Sequence, residues 1–295
     1  MATTKVTTPV TGFNSTNSGM YNTEEGLKLP SGNSSNQPSG AAAEQGMIRN
    51  NTGENTGGSV TAIEHFNGTT WEYFAATESS VYPTNLKMFL DAGNAASYSG
   101  TGTTWSDLTS NGNDGTLTNM NSSDWYAAGY FNFISSRYIQ LPNILTFGSS
   151  SYTISVWVNF DQVSNVQLEI FSSYSSTGGF LLDLVATGGV RFYNTGGTNV
   201  DINAGNNTAI ANTWQLYTVT MDRSSATNVV KLYLGSAQKA TTSGTSLGST
   251  NGSNPQIGSY PGGGLYLDGQ VSKARVYDTA LTQAEIQALV TDGPL

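Results

Sequence analysis

The chain is 295 residues long, 37% hydrophobic and only 11% charged, with 34 glycines, no cysteine and a net charge of −9. Its 11 Lys and Arg residues are scattered singly, so there is no basic stripe to neutralise nucleic-acid phosphates or to dock on an anionic membrane surface. Disulfides and thiolate metal sites are excluded, and no apolar run approaches the roughly 20 residues of a membrane span, so a soluble β protein of one large or two smaller domains is expected.

Residues 1 to 46 are poor in large apolar side chains and rich in Ser, Asn, Thr and Gly. They lack the apolar core of a secretory signal and read as an extended arm. Met47 to Arg49 is a predicted short strand, "NNTGENTGG" a turn, and Ala62 to Phe66 a second strand. "NGTT" carries the Asn-Gly hairpin signal and leads into a third strand, Trp71 to Phe74. So small a meander buries little surface by itself. Residues 1–80 therefore read as an arm and small β module for attachment and oligomerisation, completed by a partner chain or by the larger domain.

From Val81 onward, short apolar runs alternate with Gly, Asn and Ser turns. In "YTISVWVNF", Tyr152, Ile154, Val156 and Val158 alternate with Thr153, Ser155, Trp157 and Asn159, the period of a strand with one face inward. Evenly spaced strands of this kind predict an all-β sandwich or jelly roll over residues 81–295. One helix closes the chain. "ALTQAEIQALVTDG" places Leu281, Ile286, Leu289 and Val290 on one face, Thr282 and Glu285 form a capping box, and Gly293-Pro294 stop it. This helix is expected on the sandwich edge.

"LKMFLDAGNAASYSGTGTTWSDLTSNGNDGTLTN" resembles the opening of laminin-G-like, concanavalin-A-like lectin jelly rolls. The matching residues are Leu90, Asp91, Ala92, Asn94, Ser97, Tyr98, Trp105, Asp107, Leu108 and Gly115-Thr116-Leu117. "YTISVWVNF", "WQLYTVTMDR" and "LDGQVSKARVYDTALTQAEIQAL" follow in the family's order, so the resemblance covers residues 82 to 292. Residues 27 to 74, with "LPSG", "GMIRNNTG" and "IEHFNGTTWEYF", resemble a segment of phage virion and tail-fibre proteins. Together these resemblances imply a virion structural protein on the particle surface, a capsid decoration or fibre. It would be homo-oligomeric, held to other virion proteins through residues 1–80, and would contact host or environmental glycans. A cement protein without a ligand and, further off, a glycoside hydrolase are the alternatives.

Within this frame Asp91 is expected to tie the Gly93-Asn94 turn, and Trp105 to plug the sandwich rather than stack on a ligand. Related lectin-like folds hold Ca²⁺ at the rim through Asp oxygens, which makes Asp107, Asp114, Asp268 and Asp278 the calcium candidates. No D-x-D-x-D-G run supports them, and structural or solvated roles compete. The hydrolases' E-x-D-x-E strand is absent. "VQLEIF" and "FLLDLV" carry one carboxylate each, Glu169 and Asp183, and the single His, His65, lies in the N-terminal meander, so no enzyme is expected. For sugar binding, Tyr174 in "SSYSSTGG" and Tyr260 in "GSYPGGGLYLDG" are the candidate contacts, against the alternative of ordinary loop tyrosines.

Overall fold

The computed structural model describes residues 85–143, 150–175, 178–248, 252 and 254–295, preceded by Thr69 and by strand residues 21–23, 26–28, 31–32, 48–51, 62–66 and 71–73. The chain divides into two units, Met1–Ser79 and Ser80–Leu295. In the first, β1 (Tyr21–Thr23) pairs with β2 (Gly26–Lys28). A four-stranded sheet follows, from β3 (Ser31–Gly32), β4 (Ile48–Asn51), β5 (Ala62–Phe66) and β6 (Trp71–Tyr73), with β3 and β4 parallel. The meander predicted from residue 47 thus forms as three antiparallel strands. Most of the predicted arm, the "NNTGENTGG" turn and the His65 side chain lie outside the described residues.

The second unit contains β7 (Leu86–Asp91), β8 (Thr104–Trp105), β9 (Gly115–Thr118), β10 (Trp125–Tyr126), β11 (Tyr130–Phe133), β12 (Tyr138–Gln140) and β13 (Tyr152–Phe160). Next come β14 (Leu168–Ser175), β15 (Gly178–Leu184), β16 (Val190–Thr195), β17 (Val200–Asn203), β18 (Gln215–Asp222) and β19 (Asn228–Leu234). β20 (Ala237–Gly244), β21 (Gln256–Ile257), β22 (Gly269–Tyr277) and the helix α1 (Gln283–Asp292) complete it. They make two eight-stranded antiparallel sheets. The first runs β10-β11-β22-β13-β18-β19-β20, with β7 also on β22; the second runs β17-β16-β15-β14-β21-β12-β9-β8. This is the concanavalin-A-like jelly roll. One core fills the space between the sheets, and Trp105 lies fully buried in it, edge-on to Phe131 at 4.9 Å.

The central strand β13 shows why alternation understated burial. Ile154, Val156 and Val158 enter the core as predicted, yet Thr153, Ser155 and Trp157 on its outer side are buried too. The helix covers them. Leu281, Ile286 and Leu289 pack on Trp157, Leu216, Tyr233 and Tyr277. α1 therefore lies over the face of the first sheet, around its middle strand, and not on the edge the sequence suggested. A helix with one apolar stripe buries most against a flat apolar face, and the outward Trp157 and Leu216 supply one. The covered Thr153 hydroxyl is satisfied, Oγ1 donating to Thr279 O (2.7 Å) and accepting from Leu281 N (2.9 Å), whereas Trp157 Nε1 has no partner. The capping box of Thr282 and Glu285 forms as predicted, and Gly293 leaves the helix at φ 73°. Among the described residues no helix is long and apolar enough to cross a membrane.

Candidate functional site

The outer face of the second sheet carries a different set of side chains. Glu169, Asp183, Arg191 and Asn203 stand in register across β14, β15, β16 and β17. Tyr193 follows two residues after Arg191 on the same face. Tyr174 reaches this face because of a bulge. In a regular strand, residues 169 and 174 point to opposite sides, but β14 slips by one residue between Glu169 and Phe171. Leu168, Ile170 and Phe171 all enter the core, and Glu169 and Tyr174 share the outer side.

A loop crosses this face from Gly258 to Leu267. Ser172 Oγ donates to Ser259 O (2.7 Å), Glu169 N to Leu265 O (2.7 Å), and Leu267 N to Gly258 O (3.0 Å). The loop brings Tyr260 to Tyr174, ring centroids 5.6 Å apart, while Tyr193 lies 6.4 Å from Tyr174 on the other side. The two tyrosines that the sequence singled out are thus neighbours, and a third joins them. All three are half-buried. Arg191 sets its guanidinium carbon 5.6 Å from the Tyr193 ring centroid.

Beneath the rings lies a polar cluster. Arg191 grips Asp183 with Nε to Oδ1 at 3.0 Å and Nη2 to Oδ2 at 2.7 Å, and Gln167 Nε2 donates to Oδ2 at 2.8 Å. Asp183's hydrogen bonds hold the guanidinium pKa above its usual value, with burial opposing. Glu169, its cross-strand neighbour, has no such partner. It is completely buried, and neither carboxyl oxygen has a well-aligned hydrogen-bond partner, the Leu182 backbone N–H giving only a weak contact. Burial first, then the charge of Asp183, push its pKa well above the ordinary carboxyl range; Arg191 and the nearby Leu182 amide oppose without cancelling. The Tyr260 hydroxyl pKa is raised by partial burial, then by Tyr174 and Glu169.

The calcium candidates do not converge. Asp107 and Asp114 meet in the β8–β9 loop, where their oxygens serve backbone donors. Asp107 accepts from Phe89 N (2.9 Å), Thr109 N (3.0 Å) and Asn113 N (2.9 Å), and Asp114 accepts from Asp107 N (2.7 Å). Asp268 accepts from Gln162 Nε2 (2.9 Å), and Asp278 pairs with Lys87 (3.0 Å), on either side of β22. Among the described residues no three His, Cys, Asp or Glu side chains group to hold a metal. Asp91 ties its turn as expected, accepting from Gly93 N at 2.9 Å. Arg191, Tyr193 and Gln167 escaped the sequence reading. The alternation of Arg191 and Tyr193 in "GVRFYNT" was the available signal for the first two.

Residues 132–287 match the family described as "Concanavalin A-like lectin/glucanases superfamily", and the chain belongs to it. No curated protein matches the chain. Among solved structures it is similar to the receptor binding domain of botulinum neurotoxin C/D mosaic serotype, with 12% identity over 71% of this chain and 51% of that one, TM-score 0.51. The binding domain of Paraclostridial Mosquitocidal Protein 1 is similar at 15% identity, over 70% of this chain and 52% of that one, TM-score 0.50. Domain 4 of AbnA, an extracellular arabinanase from Geobacillus stearothermophilus solved with arabinotriose, aligns at 18% identity over 70% of this chain and 98% of that one, TM-score 0.48. The chain spans about half the length of the two toxin domains. At these identities the likeness is one of fold.

Proposed function

We propose that this protein is a non-catalytic carbohydrate-binding protein displayed on a virion surface, as a capsid decoration or fibre. Its jelly roll contacts host or environmental glycans, and residues 1–80 attach it to other virion proteins and to further copies of itself. The observation that carries the glycan reading is the trio of Tyr174, Tyr193 and Tyr260 around the hydrogen-bonding Arg191–Asp183 pair. Ring faces stack on the apolar side of a sugar, and planar charged groups meet its hydroxyls. Membership of a family that includes lectins fits this reading, and many copies on one particle would multiply weak single sites. The virion reading rests on the resemblance of residues 27–74 to phage structural segments.

The test is binding to a glycan array and to candidate host cells, with calcium and with chelator. Glycan binding lost in both Tyr174→Ala and Tyr260→Ala, in protein that stays folded, is the expected result. Sensitivity to chelator would shift the site to the Asp107–Asp114 rim. No binding in any condition would leave a cement protein.

One observation favours a hydrolase: Glu169 and Asp183 are cross-strand neighbours, which places their Cβ atoms about 5 Å apart. Asp183, however, is fully buried and already clamped by Arg191 and Gln167, so it is not free to serve as the second carboxylate. Turnover of any array polysaccharide, abolished in Glu169→Gln, would reverse this judgement.

A further inference from the structure

Glu169 presents a problem that the stability of the sandwich does not explain. A buried acid with no well-aligned hydrogen-bond partner is costly, and surrounding structure ordinarily supplies one. What covers Glu169 is weakly built. The loop tip contains Gly262, Gly263 and Gly264, all at positive φ. Leu265 follows at φ 52°, a left-handed conformation that bulky residues avoid, and it is 36% exposed, so packing does not enforce it. The tip is fastened over the acid by the Glu169 N to Leu265 O hydrogen bond. Below the tip, the Leu267 N to Gly258 O bond closes the base. Strain of this kind gathers at ligand clamps and switch segments.

The aromatic rings point the same way. Tyr174 and Tyr260 stand 5.6 Å apart. A sugar ring held between two aromatic faces needs about 7–8 Å, two carbon contact distances. Tyr260 must move outward for a sugar to enter, and it is carried by the same loop. That movement uncovers Glu169.

Resting on the glycan reading above, we propose that the Tyr260–Leu265 tip is a lid, and that the Glu169 carboxyl is the hydrogen-bonding group that a neutral saccharide meets beneath it. The charges select the ligand class. The groups facing Glu169 are Asp183 from β15, Arg191 from β16 and Tyr260 from the loop, with Tyr174 acting on Tyr260 and Asp201 of β17 acting on Arg191. Arg191 is neutralised by Asp183, and Asp201 adds a negative charge, so nothing here attracts a sialylated, sulfated or uronic acid sugar. Ionising Glu169 beside Asp183 removes the donor and drives the carboxylate toward water, lifting the lid.

The experiment has two arms, each run on the full chain and on Glu169→Gln, which keeps shape and a donor but cannot titrate. In the first, hydrogen–deuterium exchange of the Glu169 amide is followed without ligand as pH is raised. The wild type is expected to exchange increasingly faster than Glu169→Gln above the titration of the acid. In the second, affinity is measured for a panel of neutral gluco-, xylo-, arabino- and manno-oligosaccharides and their sialylated or sulfated counterparts. The wild type is expected to bind neutral members only, and to lose affinity about tenfold on the alkaline side, while Glu169→Gln holds its affinity across the range. Glu169→Ala is expected to bind weakly at every pH. Parallel profiles in both arms overturn the lid and the donor together, and preferred binding of the acidic sugars overturns the ligand class. If the wild type binds no panel member, the glycan reading falls and takes the donor with it; the exchange arm still decides the lid.

Discussion

The two sheets finish their outer faces in different ways. Around β13 the first sheet is sealed by α1, and its buried charged groups are paired, although Trp157 Nε1 beneath the helix has no partner. Lys273 and Arg275 both donate to Asp292 Oδ2, at 2.9 and 2.6 Å, and Arg275 lies over Phe89 at 4.1 Å. Around β14 the second sheet is covered, among the described residues, by a glycine-rich loop, above half-exposed tyrosines and an acid without a well-aligned partner. The helix face has the construction of a stabilising element. The loop face keeps an unsatisfied group and a strained residue, which a fold retains where something other than stability is served.

The largest effect should come from the helix face. Asp292→Ala leaves Lys273 and Arg275 buried without that carboxylate and is expected to cost roughly 3–5 kcal/mol in urea unfolding, with saccharide affinity of the folded protein unchanged. Leu289→Ala, at a fully buried position on the sheet-facing side of the helix, is expected to cost about 2–5 kcal/mol. A loss confined to a few tenths in either variant would erase the distinction between the two faces.

The loop face should reveal itself through pH. The folded state holds the Glu169 proton more tightly than the unfolded chain, where the acid titrates near 4.5. Its contribution is complete below that value and is lost as pH rises toward the folded-state titration, by about 1.4 kcal/mol per unit. Denaturation series on wild type and Glu169→Gln should diverge with that slope; identical slopes would mean that the acid is already ionised in the fold. Smaller still, Thr282→Ala removes the helix N-cap and should cost about 1 kcal/mol by thermal unfolding. Tyr260→Ala should change stability by no more than about 0.5 kcal/mol, its effect being on binding.

Much of the fold was legible because its signals are local. The alternation of Tyr152 to Phe160, the capping box at Thr282 and the Gly293 stop each depend on a few adjacent residues, and each formed as read. Tyr174 and Tyr260 were recognisable as aromatic residues among flexible glycines, although nothing in the sequence said that two positions 86 apart would close to 5.6 Å. Glu169 and Asp183 were visible as single acids on separate strands. Their adjacency depends on which strands pair and in which register, and hairpin register cannot be read across a loop whose geometry is unknown.

Composition and periodicity determined by themselves that this chain makes an antiparallel sandwich with a terminal amphipathic helix, because burying alternate side chains leaves little choice. The tertiary structure decided where the helix docks and what the second sheet shows to solvent. The physical reason is the bulge at Ile170. One extra residue in β14 turns every later side chain of the strand to the other face, and it puts Tyr174 on the same side as the buried Glu169.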